Sequence, residues 1–361
     1  MLPTAGMNVN FACGLKILII PLGCAQSRDN PPAAAAISMR LCATTGGCIL
    51  PENMARINSN KAVFDDIYTM DDPRSYFSVL GSLDYMIPDV AEPVIRQVIE
   101  ARARLHGDPS TVLDIGSSYG INAAIHRFPV NFASLCQRYA RREMMELDAG
   151  EMIRLDRHFY ASWPGIGAGR FIGLDISEPA IRYANAVGLH DAGVAADLEA
   201  GPLSASDAAI IAPANVLLST GAVGYVTDRT YGKLLDAVAA QPWVISFVLR
   251  MFPYDNFVAM FAERGMVTEK LAGSAFVQRR FRDEQEFERS LAALKLRGID
   301  TAGFEADGLF VAELYVSRPE ADARAAPLDD IVTVTSGRFS TFGSRYVQVG
   351  QQDDMRIAME V

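Results

Sequence analysis

Four short segments that consist almost entirely of apolar residues constrain the fold of this chain most strongly. They are residues 111–115, 171–175, 215–219 and 243–249. Such short runs, without alternating polarity, are typical of strands that are buried on both faces of a sheet. Helical segments lie between them, at residues 121–127, 179–187 and 228–240. Strands that alternate with helices predict an α/β fold with a doubly wound, mostly parallel sheet.

The flanking segments predict further parts of the molecule. Residues 129–169 are longer than an ordinary connection and contain a charged helical stretch, which predicts an inserted helical lobe. We expect this lobe to belong to a main domain that spans residues 109–319. Residues 57–108 are predicted to form a helical cap or lid, and residues 320–361 a C-terminal tail.

Residues 1–56 differ from the body of the chain and predict a disordered extension. The short apolar run before Cys24 could be a lipoprotein signal, but Pro21 stands where leucine is usual and the preceding region carries one charge. The Pro- and Ala-rich sequence that follows is typical of a solvated linker. We therefore favour an unstructured extension, with native translation beginning at Met39 or Met54.

Composition excludes several classes of protein. Apolar residues make up 50% of the chain and charged residues 21%, so a large core is feasible. The net charge of −10 is opposite to that expected for a nucleic-acid-binding protein, and no apolar run approaches the ~20 residues of a membrane span. The five cysteines contain no C-x-x-C pair and lie far from histidines, which predicts a reduced, cytoplasmic protein without a zinc site. A homodimer is compatible with these features.

Glycines and acids follow the predicted strands, where open α/β sheets bind their ligands. Asp114 lies in the first strand and is followed by Gly116, Ser118 and Gly120. A glycine-rich turn that leads into a helix allows close approach of a ligand and presents free N–H groups. Asp175 ends the second strand, where its carboxylate can accept hydrogen bonds from both hydroxyls of a ribose.

Two more segments complete this predicted edge of the sheet. Asp197 can accept a hydrogen bond from the exocyclic amine of adenine while Leu198 packs on the ring. Thr220 and Gly221 follow the third strand and are expected to close the floor of the site.

Taken together, these segments resemble the motifs of class I S-adenosylmethionine (SAM)-dependent methyltransferases, and the sequence around Tyr225 and Arg250 resembles that of bacterial members that act on small molecules. The first motif corresponds to residues 113–120, the ribose acid and its helix to 173–180, and the adenine acid to 196–199. The late hairpin around Val277 and Val311 is similar to the reversed last strand of that fold. The resemblance covers about residues 111–319. Ser118 departs from it, since glycine is frequent at this position.

The resemblance implies a seven-stranded, Rossmann-like sheet with an antiparallel last strand and S-adenosyl-L-methionine as the cofactor. The residues that it assigns to cofactor binding are Asp114, Gly116, Ser118, Gly120, Asp175, Ile176, Asp197, Leu198 and Thr220. The implied reaction is methyl transfer to an N, O or C atom of a small molecule, without nucleic-acid or membrane partners. One alternative is an NAD(P)-dependent oxidoreductase, which would favour G-x-G-x-x-G after the first strand. Another is a protein that binds SAM without catalysis.

Candidate catalytic residues lie in the loops beyond the strands. Tyr225 and Arg250 follow the third and fourth strands, and Arg250 could bind a substrate carboxylate. A structural ion pair of Arg250 with Asp255 or with the cap is an equally good interpretation. His158, in the insertion, is a candidate general base. The segment 220–227 contains no acid, which predicts a metal-independent enzyme.

The aromatic residues of the predicted cap have two interpretations. Tyr68 and Tyr76 could lie over the sulfonium or the methyl acceptor, or they could pack in the core of the cap. His126, on the helix after the glycine loop, is predicted to be a packing or surface residue.

Overall fold

The computed structural model describes residues 65–167, 169–334, 346–349 and 355–359, which belong to one compact unit, Leu50–Val361. The predictions for residues 1–56 lie outside this part of the chain. The strands are β1 (Thr111–Ile115), β2 (Arg170–Asp175), β3 (Ala192–Ala195), β4 (Val216–Thr220), β5 (Trp243–Leu249), β6 (Met266–Lys270), β7 (Ser274–Arg280), β8 (Leu309–Pro319), β9 (Tyr346–Val349) and β10 (Met355–Met359).

Helices precede, connect and follow these strands. They are α1 (Asp65–Tyr68), α2 (Arg74–Ser82), α3 (Ile87–His106), α4 (Ile121–Arg127), α5 (Phe132–Tyr139), α6 (Arg142–Met145), α7 (Ala149–Ala161), α8 (Glu178–Ala186), α9 (Ala205–Ile211), α10 (Asp228–Ala237), α11 (Asp255–Glu263), α12 (Glu284–Leu296), α13 (Glu320–Ala325) and α14 (Leu328–Ile331). A 3-10 turn, Glu305–Asp307, precedes β8. Within the described residues, no helix is both long and apolar enough to cross a membrane.

The strands form one mixed sheet in the order β3-β2-β1-β4-β5-β8-β7-β10-β9, and β6 also pairs with β8. Strands β1 to β5 are mutually parallel, whereas β8 runs antiparallel to β5. The order in which the strands are added to the sheet reverses between β1 and β4, and this creates a crevice at their carboxyl ends. The predicted α/β fold, with its mostly parallel sheet and an antiparallel strand around Val311, is therefore confirmed.

The described sheet has ten strands instead of the seven that the resemblance implied. The length of β8 explains part of the difference. Its first residues pair with β7 and its last residues pair with β6, so that two strands share one edge of β8. Strand β10 then adds to the outer edge of β7, and β9 pairs with β10. Residues 320–361, predicted only as a tail, thus contribute two helices and two strands.

Burial on both faces accounts for the continuous apolar runs in the sequence. All seven residues of β5 are buried. Trp243, Ile245 and Phe247 belong to the core on one face of the sheet, and Val244 and Val248 belong to the core on the other. Because neighbouring side chains of a strand point to opposite faces, both sets must be apolar.

The cap and the insertion, predicted as separate pieces, share one core. The ring of Phe77 in α2 stacks on that of Tyr139 in α5, with their centroids 4.6 Å apart. Phe77 also contacts Phe132 at a centroid distance of 5.2 Å. The Asp89 carboxylate in α3 accepts a hydrogen bond from the Phe132 backbone N–H at 3.0 Å. These contacts hold α2 and α3 against the insertion beside the carboxyl ends of the strands.

Candidate active site

The structure brings the loops after β1 and β2 together through Asp175. The backbone N–H of Ser118 donates to one carboxylate oxygen of Asp175, and that of Ser177 donates to the other, each at 2.9 Å. Burial raises the pKa of Asp175, while these N–H donors oppose the rise. A carboxylate has about four lone-pair positions, so two remain for a ligand.

The backbone of the glycine loop shows why glycine is frequent at the position of Ser118. Gly116, Ser118 and Gly120 all have positive φ angles, of 73°, 49° and 82°. Glycine adopts this left-handed region without steric cost, whereas a residue with a Cβ pays about 1–2 kcal/mol. Serine therefore occupies a position that favours glycine, and its backbone N–H is retained for Asp175.

Asp114 adds a second acid to the same crevice. Its carboxyl group is fully buried, and one oxygen accepts a hydrogen bond from the Asn122 side-chain amide at 2.9 Å. The other oxygen, Oδ2, has no hydrogen-bond partner among the described residues. Burial, aided by the nearby charge of Asp175, raises the pKa of Asp114 to about 7. Asn122 also donates to Thr220 Oγ1 at 3.0 Å, which links β1, α4 and the end of β4.

Beyond Asp175, the edge of the crevice carries an exposed apolar side chain and an exposed acid. Ile176 follows Asp175 and is 64% exposed, an unusually high value for a large apolar side chain beside a sheet. Asp197 is also exposed, and its Oδ1 accepts hydrogen bonds from the backbone N–H groups of Glu199 and Ala200. Leu198 is buried in the core below. Asp175, Ile176, Asp197 and Thr220 thus lie at or just beyond the carboxyl ends of β2, β3 and β4, whereas Leu198 is buried in the core and is not available to an adenine ring.

The cap segment at residues 68–71 lies against the loops at this edge. The Ser177 hydroxyl donates to the backbone carbonyl of Tyr68, and the Tyr119 hydroxyl donates to that of Met70 at 2.8 Å. Arg182 forms an ion pair with Asp71 at 2.6 Å. The segment after α1 is thereby attached to the loops that follow both β1 and β2.

The two cap tyrosines have different surroundings. Tyr76 is 2% exposed and packs in the core, in agreement with its interpretation as a packing residue. Tyr68 is half-buried and contacts Tyr76 edge to face at 5.7 Å. Burial raises the pKa of Tyr68, and the neighbouring Tyr85, Tyr225 and Asp175 raise it further. Tyr68 therefore faces the crevice.

Tyr225 and Arg250, both predicted as catalytic residues, have different surroundings. Tyr225 is 49% exposed and lies in the loop after β4, near Tyr68. Arg250 is buried, with its Nη1 3.2 Å from Glu305 Oε2 and its Nη2 2.5 Å from the Asp300 carbonyl. This geometry corrects the interpretation of Arg250 as a substrate contact. Its partner is Glu305, in the turn before β8, instead of Asp255 or the cap.

His158 and His126 lie away from the crevice, whereas the buried His190 lies beside Gly120 of the glycine loop. His158 is exposed near the end of α7, and its Nδ1 is 2.8 Å from the carbonyl oxygen of Arg154. The inward face of the same helix carries Asp156 and Tyr160, so the prediction of His158 as a general base receives no support from its position. His126 is buried with its Nδ1 3.1 Å from Glu92, as expected for a packing residue.

Sequence reasoning missed two polar residues of the site. Asn122 links Asp114 to Thr220, and the sequence offered no signal for it beyond its place one turn after the glycine loop. Gln278 projects from β7 towards the end of β4, where it approaches Gly221. The only signal for Gln278 was a polar residue directly after the apolar residues 275–277 of this strand. Among the described residues, no group of three His, Cys, Asp or Glu side chains could hold a metal ion.

Comparisons with known proteins add the following. No family model matches the chain, and no curated protein matches it. Solved methyltransferases do match. The plantazolicin methyltransferase BpumL in complex with S-adenosylhomocysteine (SAH) is 12% identical, with a TM-score of 0.36, and the match covers 74% of this chain and 98% of that one.

Two further matches are a TehB-like SAM-dependent methyltransferase from Corynebacterium glutamicum and an O-methyltransferase of Brevibacillus brevis in complex with SAH. The first is 14% identical with a TM-score of 0.29 and covers 60% of this chain and 85% of its own. The second is 9% identical with a TM-score of 0.31 and covers 63% and 71%. Because the identities and TM-scores are low, the functional proposal rests on the topology and the crevice.

Proposed function

We propose that this chain is a SAM-dependent methyltransferase that acts on a small molecule. The observation that carries the proposal is the pair of carboxyl groups in the crevice, with Asp114 Oδ2 buried and without a partner beside Asp175. A buried carboxyl group of this kind favours a cationic ligand. SAM carries a sulfonium and an ammonium group, whereas the negative charge of Asp114 beside the glycine loop would repel the pyrophosphate of a nicotinamide cofactor.

The residues present fit the cofactor along the whole edge. Asp175 accepts hydrogen bonds from the two ribose hydroxyls through its remaining lone pairs. Exposed Ile176 covers one face of the adenine, and Asp197 accepts a hydrogen bond from the adenine amine. Asp114 provides negative charge for the ammonium group. Gly116 and Gly120 let the loop approach the ligand closely.

Catalysis would then consist mainly in aligning the acceptor atom with the methyl group. SAM supplies an activated methyl group when it is bound. Tyr68 and the cap exclude water from the crevice, and Tyr225 lies at the mouth, where an acceptor enters. Positioning of this kind can account for a large part of the rate of a bimolecular transfer. We further propose a cytoplasmic enzyme that does not require a metal ion and does not act on nucleic acid or membranes; a homodimer is compatible with this proposal.

Labelled SAM distinguishes the proposed function from its alternatives. The protein is incubated with methyl-labelled SAM and a cell metabolite extract, and Asp175→Ala serves as the control. We expect label in small molecules with the wild type and little with the variant. Label only in protein or RNA would contradict the choice of substrate. Tight SAH binding without any transfer would favour a non-catalytic protein, and tighter binding of NADH than of SAH would favour an oxidoreductase.

The pKa of Asp114 predicts a pH-dependent affinity for SAM. If the cation binds only the ionised form of a carboxyl group with a pKa of about 7, the affinity should rise about tenfold between about pH 6 and pH 8. Calorimetric titration at constant ionic strength measures it, and the Asp114→Asn variant should show a flat profile. An equally flat profile in the wild type would contradict the role of Asp114.

The same group affects stability in the absence of SAM. The folded protein keeps the proton on Asp114 up to about pH 7, while the unfolded chain releases it near pH 4. The contribution of Asp114 to stability is therefore present below about pH 4 and is lost as the pH rises to about 7. The stability of the Asp114→Asn variant should not show this decrease between about pH 4 and pH 7.

A further inference from the structure

A β-bulge in β7 directs one polar side chain towards the crevice. Val277 pairs with Val311, but the next pair joins Arg279 to Phe310, so Gln278 is the extra residue. A bulge of this kind changes the direction of its side chains and often occurs beside a functional site. The backbone carbonyl of Gln278 accepts a hydrogen bond from the Met86 N–H at 2.8 Å, which joins the bulge to the start of α3.

The Gln278 amide lies at the end of β4. A Cβ atom built on Gly221 would be 2.4 Å from Gln278 Nε2, so the glycine leaves the space that the amide occupies. The side chain is 8% exposed, and its Oε1 atom has no hydrogen-bond partner among the described residues. An unpaired buried amide oxygen costs about 1–3 kcal/mol, which is a reason to expect that a ligand uses it.

The groups beside Gln278 are neutral or already paired. Arg279 forms a two-pronged ion pair with Glu286, with both N–O distances at 2.7 Å. Tyr68 and Tyr85 are protonated phenols, because burial raises the pKa of each. Tyr85 precedes Met86, whose N–H binds the Gln278 carbonyl, and Arg279 follows Gln278 in β7, so both residues lie beside the bulge. The cationic side chain next to Gln278 is therefore already engaged by Glu286.

We propose that this space is the methyl-acceptor site and that it takes an uncharged molecule, whose O–H or N–H group donates a hydrogen bond to Gln278 Oε1. This inference rests on the proposed function. In the transfer, the acceptor atom forms a bond to the methyl carbon as the carbon–sulfur bond breaks, the electron pair stays on sulfur, and the acceptor proton is released to solvent at the mouth of the crevice. Gln278 orients the acceptor atom and takes no proton. Arg279, which follows Gln278, is held by Glu286 and is not available to an anionic acceptor.

The test uses Gln278→Met in the full chain. The labelled metabolite extract is separated on ion exchangers, and we expect the label in the fraction that the anion exchanger does not retain. Gln278→Met should slow labelling at least about tenfold, the effect of losing a hydrogen bond to a buried group, through a higher KM for the acceptor. The SAH affinity of this variant should stay within about twofold of the wild-type value. Its Tm should not fall, because the Gln278 Oε1 atom that is lost had no hydrogen-bond partner among the described residues.

Gln97→Met is the matched control. The Gln97 amide donates to the Pro93 carbonyl at 2.9 Å and accepts from the Thr333 N–H at 2.8 Å. This variant should lower the Tm and leave labelling unchanged. If Gln278→Met does not fold, Gln278→Asn, which withdraws the amide by one bond, should give the same selective loss.

The outcomes separate this inference from the proposed function. Label in the anionic fraction, or equal labelling by wild type and Gln278→Met, overturns the acceptor site alone. A Gln278→Met variant that loses SAH affinity and Tm together shows a structural role and also overturns it. Absence of label in every fraction, with SAH bound, overturns the proposed catalysis and the acceptor site with it.

Discussion

Replacing Asp175 by alanine is expected to weaken SAH binding by about 30- to 1,000-fold. The loss of two charge-assisted hydrogen bonds to the ribose costs about 2–4 kcal/mol when the two losses partly overlap. The structure adds a second reason, because the carboxylate also accepts from the N–H groups of Ser118 and Ser177 and so shapes the loops that surround the cofactor. Calorimetric titration of both proteins with SAH measures the difference.

Asp191, an acid near the amino ends of β2 and β3, provides the control. Asp191 lies before β3 and accepts hydrogen bonds from the Phe171 N–H at 2.8 Å and from Arg127 at 3.0 Å, at the amino end of the strands. Asp191→Ala should lower the Tm and keep SAH affinity within about twofold. Equal affinities of Asp175→Ala and wild type would show that the cofactor does not bind at the end of β2.

Arg250→Ala is expected to destabilise the protein by about 3–5 kcal/mol, since it leaves Glu305 buried without its ion-pair partner. Glu305 is 1% exposed, so the loss of the guanidinium removes a charged contact inside the protein. For a domain of this size the change corresponds to a Tm that is lower by about 6–20 °C. Differential scanning calorimetry and chemical denaturation measure it.

The matched variant replaces both partners of the ion pair. Arg250→Met combined with Glu305→Leu should recover most of the lost stability, because apolar side chains of similar size do not leave a buried charge. The original interpretation, a substrate contact, makes the opposite prediction. If Arg250→Ala kept its Tm and SAH affinity but lost turnover at least about tenfold, Arg250 would be a substrate contact after all.

Arg250 and Asp175 show why some site residues were predictable and others were not. Asp175 ends a strand of a parallel sheet, and all such ends meet at one edge whatever the rest of the chain does. Arg250 also follows a strand, but the direction of its long side chain depends on Glu305, which is 55 residues further along the chain. Local sequence contains no information about a partner at that distance.

The sequence alone determined the α/β class, the buried parallel strands and the positions of Asp114, Asp175 and the glycine loop, because each follows from short-range patterns and from the geometry of a parallel sheet. Only the tertiary structure decided the pairing of Arg250, the solvent-facing position of His158 and the direction of Gln278. The last depends on the register between β7 and β8, where one extra residue changes which side chain faces the crevice. Cross-strand register results from long-range packing, which a single strand does not encode.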